Sequence, residues 1–279
     1  MTLLLSLLSA LLYGVADFAG GHATRRNSVF SVMLITQAVG ALVAAAAARI
    51  LGPNAPSLAD LAWGLAGGLS GCLGVAALYR GLAAHTAAIV SPLSALVGAI
   101  LPVAFGAALG ERPSGLALAG AALCLPAILL LAYERAETRD RRKLKASFLY
   151  GLLAGLGFGG FFIAVSRSSP GSGLWPLFAA RVASFAAIAG IVVAGRKRFS
   201  VLKADVPAAL FAGTADMLAN VCFLLATRRG LLMLVTLITS LYPAPTVILA
   251  RVVHGQRISV PRAAGIALAL AGVALIGLK

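Results

Sequence analysis

The chain has 279 residues, of which 61% are hydrophobic and 11% charged, with a net charge of +15 and a mean hydropathy of +0.99. A soluble domain is about half apolar and a quarter charged. A single water-soluble core, a disordered chain, a collagen-like repeat and a disulfide scaffold are therefore excluded, which leaves a polytopic membrane protein.

The basic excess sits mostly in short connections between apolar runs. That pattern is a topology signal rather than a nucleic-acid footprint, so no nucleic-acid partner is expected. Cys72, Cys124 and Cys222 lie singly in separate apolar runs, with no CxxC pair. They read as small packing residues, not as disulfides or zinc ligands.

Ten apolar runs follow one another at roughly 2–22, 29–51, 58–80, 86–109, 114–133, 147–166, 173–195, 205–226, 231–253 and 260–278. No basic residue precedes the first run, which reads as a retained span rather than a leader. Backbone groups in lipid must be satisfied within their own segment, so each run is expected to be a helix. Barrel strands would show alternating segments of about ten residues, and these runs are continuous. Glycine pairs at GxxxG spacing (Gly64/Gly68, Gly67/Gly71, Gly106/Gly110, Gly151/Gly155 and Gly155/Gly159) predict close helix contacts.

The sequence repeats itself. Gly110-Glu111-Arg112-Pro113-Ser114 recurs 145 positions later as Gly255-Gln256-Arg257-Ile258-Ser259, and eight of the sixteen positions from Gly110 to Leu125 are identical at that offset. Ser91 and Ser94 fall opposite Thr236 and Thr239, and Gly14 and Arg26 align loosely with Gly155 and Arg167. The chain divides into residues 1–133 and 146–279, five spans each, joined by a basic linker at 134–145. A five-span unit enters the bilayer from opposite sides in its two copies. The expected fold is thus all-α, ten transmembrane helices in two inverted repeats, an architecture used for alternating access.

The segment SPLSALVGAILPVAFGAALGERPSGLALAGAAL and its partner TSLYPAPTVILARVVHGQRISVPRAAGIALAL resemble the EamA domain of the drug/metabolite transporter superfamily. Pro243 stands twelve residues before Gly255, as the family pattern has it; Gly98 takes that place in the first half, flanked by Pro92 and Pro102. Gln256 replaces the motif glutamate that Glu111 supplies. Arg181 matches the arginine early in the family's second helix, and Gln37 is its first-half counterpart. The resemblance implies a solute path between the halves and export or exchange of small metabolites or drugs.

The loops after runs 1, 3, 5, 7 and 9 carry most of the Lys and Arg, which makes the 134–145 linker cytoplasmic and both termini external. The family description implies termini inside.

Only Asp17 and Asp216 place carboxylates well inside apolar runs. Asp60, Glu111, Glu134, Glu137, Asp140 and Asp205 lie at run ends or in loops. An intramembrane carboxylate is costly unless paired or used, so both aspartates are candidates for solute binding or proton coupling. Asp17 shares a helix face with Tyr13, Gly14, Gly20 and Gly21. The small multidrug resistance transporters also carry a first-helix membrane carboxylate, theirs a Glu. Asp216 and Asn220 lie one turn apart. Arg181 is the one basic residue deep in a run, able to meet solute or to pair with either aspartate. Tyr13, Gln37, Ser91, Ser94, Thr236, Thr239 and Tyr242 are candidate path-lining residues, and Pro92, Pro102, Pro243 and Pro245 predict kinks. Arg80 and Arg228-Arg229 are expected to snorkel, and Trp63 and Trp175 to sit in the interfacial belt. His22, His85 and His254 lack metal-ligand spacing, so no metal or other cofactor is expected.

The sequence holds no GxxxxGK[ST] loop, so any driving force is a gradient. The expected activity is secondary transport of a small organic solute across the plasma membrane, with proton coupling through an aspartate or a gradient-independent uniporter as its two forms. A lipid-modifying membrane enzyme would need clustered acid, base or metal groups, which are missing here. A non-transporting scaffold would have no use for inverted halves. One chain suffices to form the path, and a homodimer is compatible with it.

The charge pattern yields a direct test of orientation. A cysteine introduced as Thr138→Cys should resist a membrane-impermeant maleimide in intact cells and react after lysis. Labelling of intact cells would place the linker outside.

Overall fold

The computed structural model describes residues 1–51, 56–84, 87–133, 141–196 and 198–278. His85, Glu134, Glu137, Arg139, Asp140, Lys197 and Lys279, with most of the 134–145 linker, lie outside the described residues.

The described chain is all-helical: α1 (Thr2–Thr24), α2 (Val29–Leu51), α3 (Leu58–Ala84), α4 (Ala87–Ala108), α5 (Gly115–Leu131), α6 (Arg141–Ser166), α7 (Trp175–Ala194), α8 (Val206–Thr227), α9 (Leu232–Thr239), α10 (Pro243–His254) and α11 (Val260–Gly277). Among the described residues nine stretches are long and apolar enough to cross a bilayer, with Leu232–His254 counted as one; Gly115–Leu131 is a shorter apolar helix. Large side chains such as Leu73, Val252, Val260 and Leu270 are more than two-thirds exposed, as lipid-facing residues should be.

The prolines act differently in two helices. α4 runs unbroken through Pro92 and Pro102. The expected ninth helix breaks into α9 and α10 at Ser240–Tyr242. Pro243 and Pro245 lack N–H donors, which deprives the Thr239 and Leu241 carbonyls of their usual partners. Those carbonyls instead accept from Tyr242 N (3.2 Å) and Ala244 N (2.9 Å), three residues on.

The Gly-x-Arg-x-Ser repeat is a pair of helix stops and starts. Gly110 and Gly255 adopt positive φ (84° and 64°). Glu111 N bonds to Gly106 O (3.0 Å) and Gln256 N to Ala250 O (3.4 Å), closing α4 and α10 with a glycine in the left-handed conformation. Ser114 then starts α5, its side chain accepting from Ala117 N, and Ser259 starts α11 in an extended conformation. Gly106/Gly110 is therefore not a helix-contact pair: Gly110 caps α4, and a methyl at Gly106 would collide with the Glu111 carboxylate.

The other glycine pairs do bring helices together. Gly64 and Gly68 lie against the Pro176 and Ala180 carbonyls of α7, Gly67 and Gly71 against α6, and Gly151, Gly155 and Gly159 against α4. α6 is thereby held between α3 and α4, while α1 packs on α8 and against α9 and α10. α2 meets α7, and α5 meets α11. The most extensive contacts thus cross between the first five helices and the rest.

A methyl at Gly68 would overlap the backbone of Ala180, whereas one at Gly190 of α7 would meet nothing within 4 Å. Gly68→Ala should cost about 1–3 kcal/mol by overpacking and lower the melting temperature in detergent. Gly190→Ala should leave it unchanged or raise it, since alanine favours helix by about 1 kcal/mol over glycine.

Candidate functional site

A cavity of about 310 Å³ lies among α1, α2, α3, α4, α6, α7, α8 and the α9–α10 break. It reaches Thr24 at the end of α1 and Val32 near the start of α2. Toward the other side α1 is tightly packed: Ser6 and Ser9 are fully buried, and Ser9 Oγ donates to Ala219 O at 2.9 Å. There Phe162, Phe223, Ala226, Leu232 and Val235 form a buried cluster joined by Leu5, Tyr13, Phe105 and Phe161. The space is thus plugged by aromatics at one end.

A chain of polar side chains crosses the cavity wall. Arg181 of α7 donates from Nη1 to Gln37 Oε1 of α2 (2.9 Å), and from Nη2 to Asp216 Oδ2 of α8. Asn220, one turn on, donates to Asp216 O (2.7 Å) and Asp216 Oδ2 (3.4 Å). Tyr13 of α1 donates to Asn220 Oδ1 (2.8 Å). The small Gly40 leaves room for the Arg181 side chain, which packs against it at 3.2 Å from where a Cβ would stand. Four helices are therefore tied by one ion pair and its hydrogen bonds. Arg181 is largely covered, with 11% of its side chain exposed, while Asp216 keeps 33%.

Asp17 stands apart from this chain. It lines the cavity, it is exposed to it, and its carboxylate makes no hydrogen bond or ion pair among the described residues. Tyr13 and Tyr242 bring their rings to 6.2 Å beside it. The cavity therefore offers one unengaged carboxylate, an ion pair that a charged solute could compete for, and aromatic faces from Phe158, Phe161 and Phe162.

Of the residues singled out from sequence, Tyr13, Asp17, Gln37, Ser94, Arg181, Asp216, Asn220 and Tyr242 line this cavity. Ser91, Thr236 and Thr239 do not. Ser91 accepts at its carbonyl from Ser94 Oγ (2.9 Å). Thr236 and Thr239 are fully buried, with no partner for either hydroxyl among the described residues. The offset of 145 gave matching places along α4 and α9, but the break after Thr239 removes the equivalence of their faces.

Several residues left aside by the sequence reading hold the helix ends. Asp60, at the start of α3, accepts from Ser169 N (2.7 Å), Ser169 Oγ (2.8 Å) and Ser57 Oγ (2.8 Å). Asp205, at the start of α8, accepts from Arg26 (3.0 Å) and Asn27 (2.8 Å). The two aspartates are 145 apart, the offset of the repeat; that spacing was the signal that could have found them. Each grips a loop from the other part of the chain. Glu111 accepts from the N–H groups of Leu232 (2.7 Å) and Met233 (3.0 Å), capping α9 from a distant loop. Arg228 does not snorkel: it donates to Ser169 O (3.1 Å) and Gly173 O (2.6 Å). The His22 and His254 rings stack at 6.0 Å. Trp63 is partly exposed, and Trp175 lies under Arg49, 5.8 Å from its ring.

Residues 145–278 match the EamA-like transporter family over nearly the whole second half of the chain. The chain carries an EamA-like transporter domain. That segment is similar to membrane transporters of this family. The Gly255 helix stop, the α9–α10 break, Arg181, Asp216 and Asn220 all lie inside the EamA-like segment; Tyr13, Asp17 and Gln37 lie outside it. A crystal structure described only as that of a protein is 20% identical and superposes with a TM-score of 0.75, covering 99% of this chain and 97% of that one. It is similar in fold along the whole length. No curated protein matches the chain.

Removing one member of the Arg181–Asp216 pair leaves the other charged in the membrane interior. Asp216→Ala and Arg181→Ala should each cost about 2 kcal/mol or more, below the roughly 3–5 of a fully buried pair because Asp216 keeps solvent contact. The double variant should cost less than the sum. A thermal-unfolding double-mutant cycle in detergent checks this, and strict additivity would mean the pair does not couple.

Proposed function

We propose that the chain is a secondary transporter that moves a small organic solute across the plasma membrane by alternating access, using Asp17 as its coupling carboxylate. The observation that carries the reading is the cavity itself: a mostly apolar space that holds Asp17, Arg181 and Asp216, closed by aromatics at one end and reaching a helix end at the other. Its volume of about 310 Å³ falls at the small end of ligand pockets. A buried ionisable cavity of this kind costs stability and is retained where it serves a path.

Residues 1–133 and 146–279 are read as two inverted five-helix repeats joined by the 134–145 linker. The offset of 145 and the odd span count support this. So does the pairing of helices: exchanging the two parts turns the α1–α8 contact into the α6–α3 contact, and the α2–α7 and α5–α11 contacts into themselves. Two such parts can trade conformations, closing one side as the other opens.

Asp17 favours a solute with an ammonium group, and the Arg181–Asp216 pair accommodates a carboxylate on the same molecule. The solute class is therefore a cationic or zwitterionic amine. An unengaged carboxylate can bind either the amine or a proton, which is the minimum needed for exchange of one against the other. Arg181 and Asn220 position Asp216, and Tyr13 links that network to the helix bearing Asp17.

Purified protein in liposomes holding a pH-sensitive dye tests the reading against amines, amino acids and cationic drugs. Solute-dependent proton movement should appear in the wild type and fall to the level of empty vesicles in Asp17→Asn, with the variant still folded. Proton movement unchanged in Asp17→Asn would overturn the coupling role. Solute uptake without any proton movement would make the protein a uniporter.

A further inference from the structure

Positions 145 apart agree along the middle of the solute cavity. Tyr13, Ala16 and Asp17 of α1 line it, and so do Phe158, Phe161 and Phe162 of α6. Gly71 and Val75 of α3 line it, as do Asp216 and Asn220 of α8. The packing follows the same offset. Ser9 of α1 donates to the Ala219 carbonyl of α8, and the Ala154 carbonyl of α6 lies against Gly74 of α3. Gly14, against α10, then corresponds to Gly159, against α4, rather than to Gly155.

Beyond Asp17 and Phe162 the agreement ends. Gly20, Thr24 and Leu78 line the cavity. Their counterparts Val165, Ser169 and Phe223 do not. Val165 and Phe223 are fully buried, and Ser169 is tied to Asp60. Phe162 and Phe223 bring their rings to 4.5 Å, and Tyr13 meets Phe162 edge-on at 6.3 Å. Phe162 thus has the cavity on one side and the buried cluster on the other. The equivalent pair, Asp17 and Leu78, both face the cavity. One pair of positions is therefore closed where its copy is open.

We infer that Phe162 and Phe223 are the gate on the Ser169 side, and that Asp17 and Leu78 close as its counterpart on the Thr24 side when it parts. The inference rests on the alternating-access reading above and adds to it which side chains close each end. Ring-on-ring contact suits a gate, because it excludes water over a large apolar area and has no hydrogen bond to break. The two gates are unequal. A carboxylate stands where the Ser169-side gate has a phenyl ring. Closing the Thr24 side carries Asp17 out of water, a cost that Phe162 never meets. That inequality favours the arrangement in which the Thr24 side is open.

Cysteine reporters on the full chain test this in detergent, with Cys72, Cys124 and Cys222 replaced by Ala. Gly20→Cys and Val165→Cys mark equivalent positions, and the rate of maleimide labelling is followed at each. Gly20→Cys should label readily, and Val165→Cys at least about tenfold more slowly. Adding Phe162→Ala with Phe223→Ala should speed labelling at 165 about tenfold and slow it at 20, because closed packing is lost at one end only. Ile128→Ala, which removes a fully buried side chain of α5, should change neither rate. Unchanged labelling at 165, or equal acceleration by Ile128→Ala, would overturn the gate. Faster labelling at 165 with none of the slowing at 20 would overturn the coupled closure at Asp17 and Leu78. If the double variant does not fold, Phe162→Leu, which keeps an apolar side chain but loses the ring contact, should speed labelling at 165 several-fold; an unchanged rate would count against the gate. The labelling needs no solute, so the two readings fail separately. Reciprocal labelling without amine-driven proton movement would leave the gate and sink proton coupling. Proton movement with fixed labelling would sink the gate and leave transport.

Discussion

The structure depends on helices approaching closely where side chains have been removed. In lipid there is no hydrophobic force between helices, so contact strength comes from packing and from hydrogen bonds freed of water. Glycine permits both. The α3 surface at Gly64 and Gly68 lets the α7 backbone in, and its other face at Gly67 and Gly71 admits α6. Ser184 Oγ reaches Gly68 O (2.9 Å), and Ser70 Oγ reaches Gly157 O (2.9 Å), because the backbones are near enough. A different surface of α6, bearing Gly151, Gly155 and Gly159, repeats the device against α4.

These contacts cross between the two parts of the chain, and the cavity is a result of that crossing. α1 leaves its own part to pack on α8, and α6 leaves its own to pack on α3 and α4. Their departure brings Tyr13 and Asp17 of α1 to face Asp216 and Asn220 of α8 across one space. The ion pair of Arg181 with Asp216 then joins α7 and α8, and Gln37 brings in α2. Packing by small residues and pairing of charged ones are in this sense one arrangement. The former sets the helix positions, and the latter occupies the gap that remains.

The helix ends are fixed by acids that sit outside the cavity. Asp60 and Asp205 hold loops, and Glu111 supplies the N–H groups at the start of α9 with a carboxylate. The α9–α10 break makes that cap important: a helix of eight residues has few internal bonds and needs its ends satisfied. Gly14 lies against Tyr242 and Pro245, and Thr246 Oγ1 donates to Gly14 O (3.0 Å), so α1 supports the break from the side.

Much was legible in the sequence because the membrane leaves few choices. Twenty apolar residues in lipid must be a helix, so the ten runs foretold most helices closely; α6, however, begins at Arg141, inside the expected 134–145 linker, and the ninth run is two helices. The deep charges Asp17, Arg181 and Asp216 stood out for the same reason: lipid makes them expensive. Pattern along one helix could not say which helices meet, and for that reason it left open whether Arg181 pairs with Asp17 or with Asp216. It also counted Gly106/Gly110 as a contact pair, placed Thr236 and Thr239 on a path, and passed over Asp60, Asp205 and Glu111. Hydropathy and spacing are one-dimensional properties fixed by the solvent. Partnership, capping and the splitting of the ninth helix depend on which backbone groups come to face one another, and only the packed helices decided that.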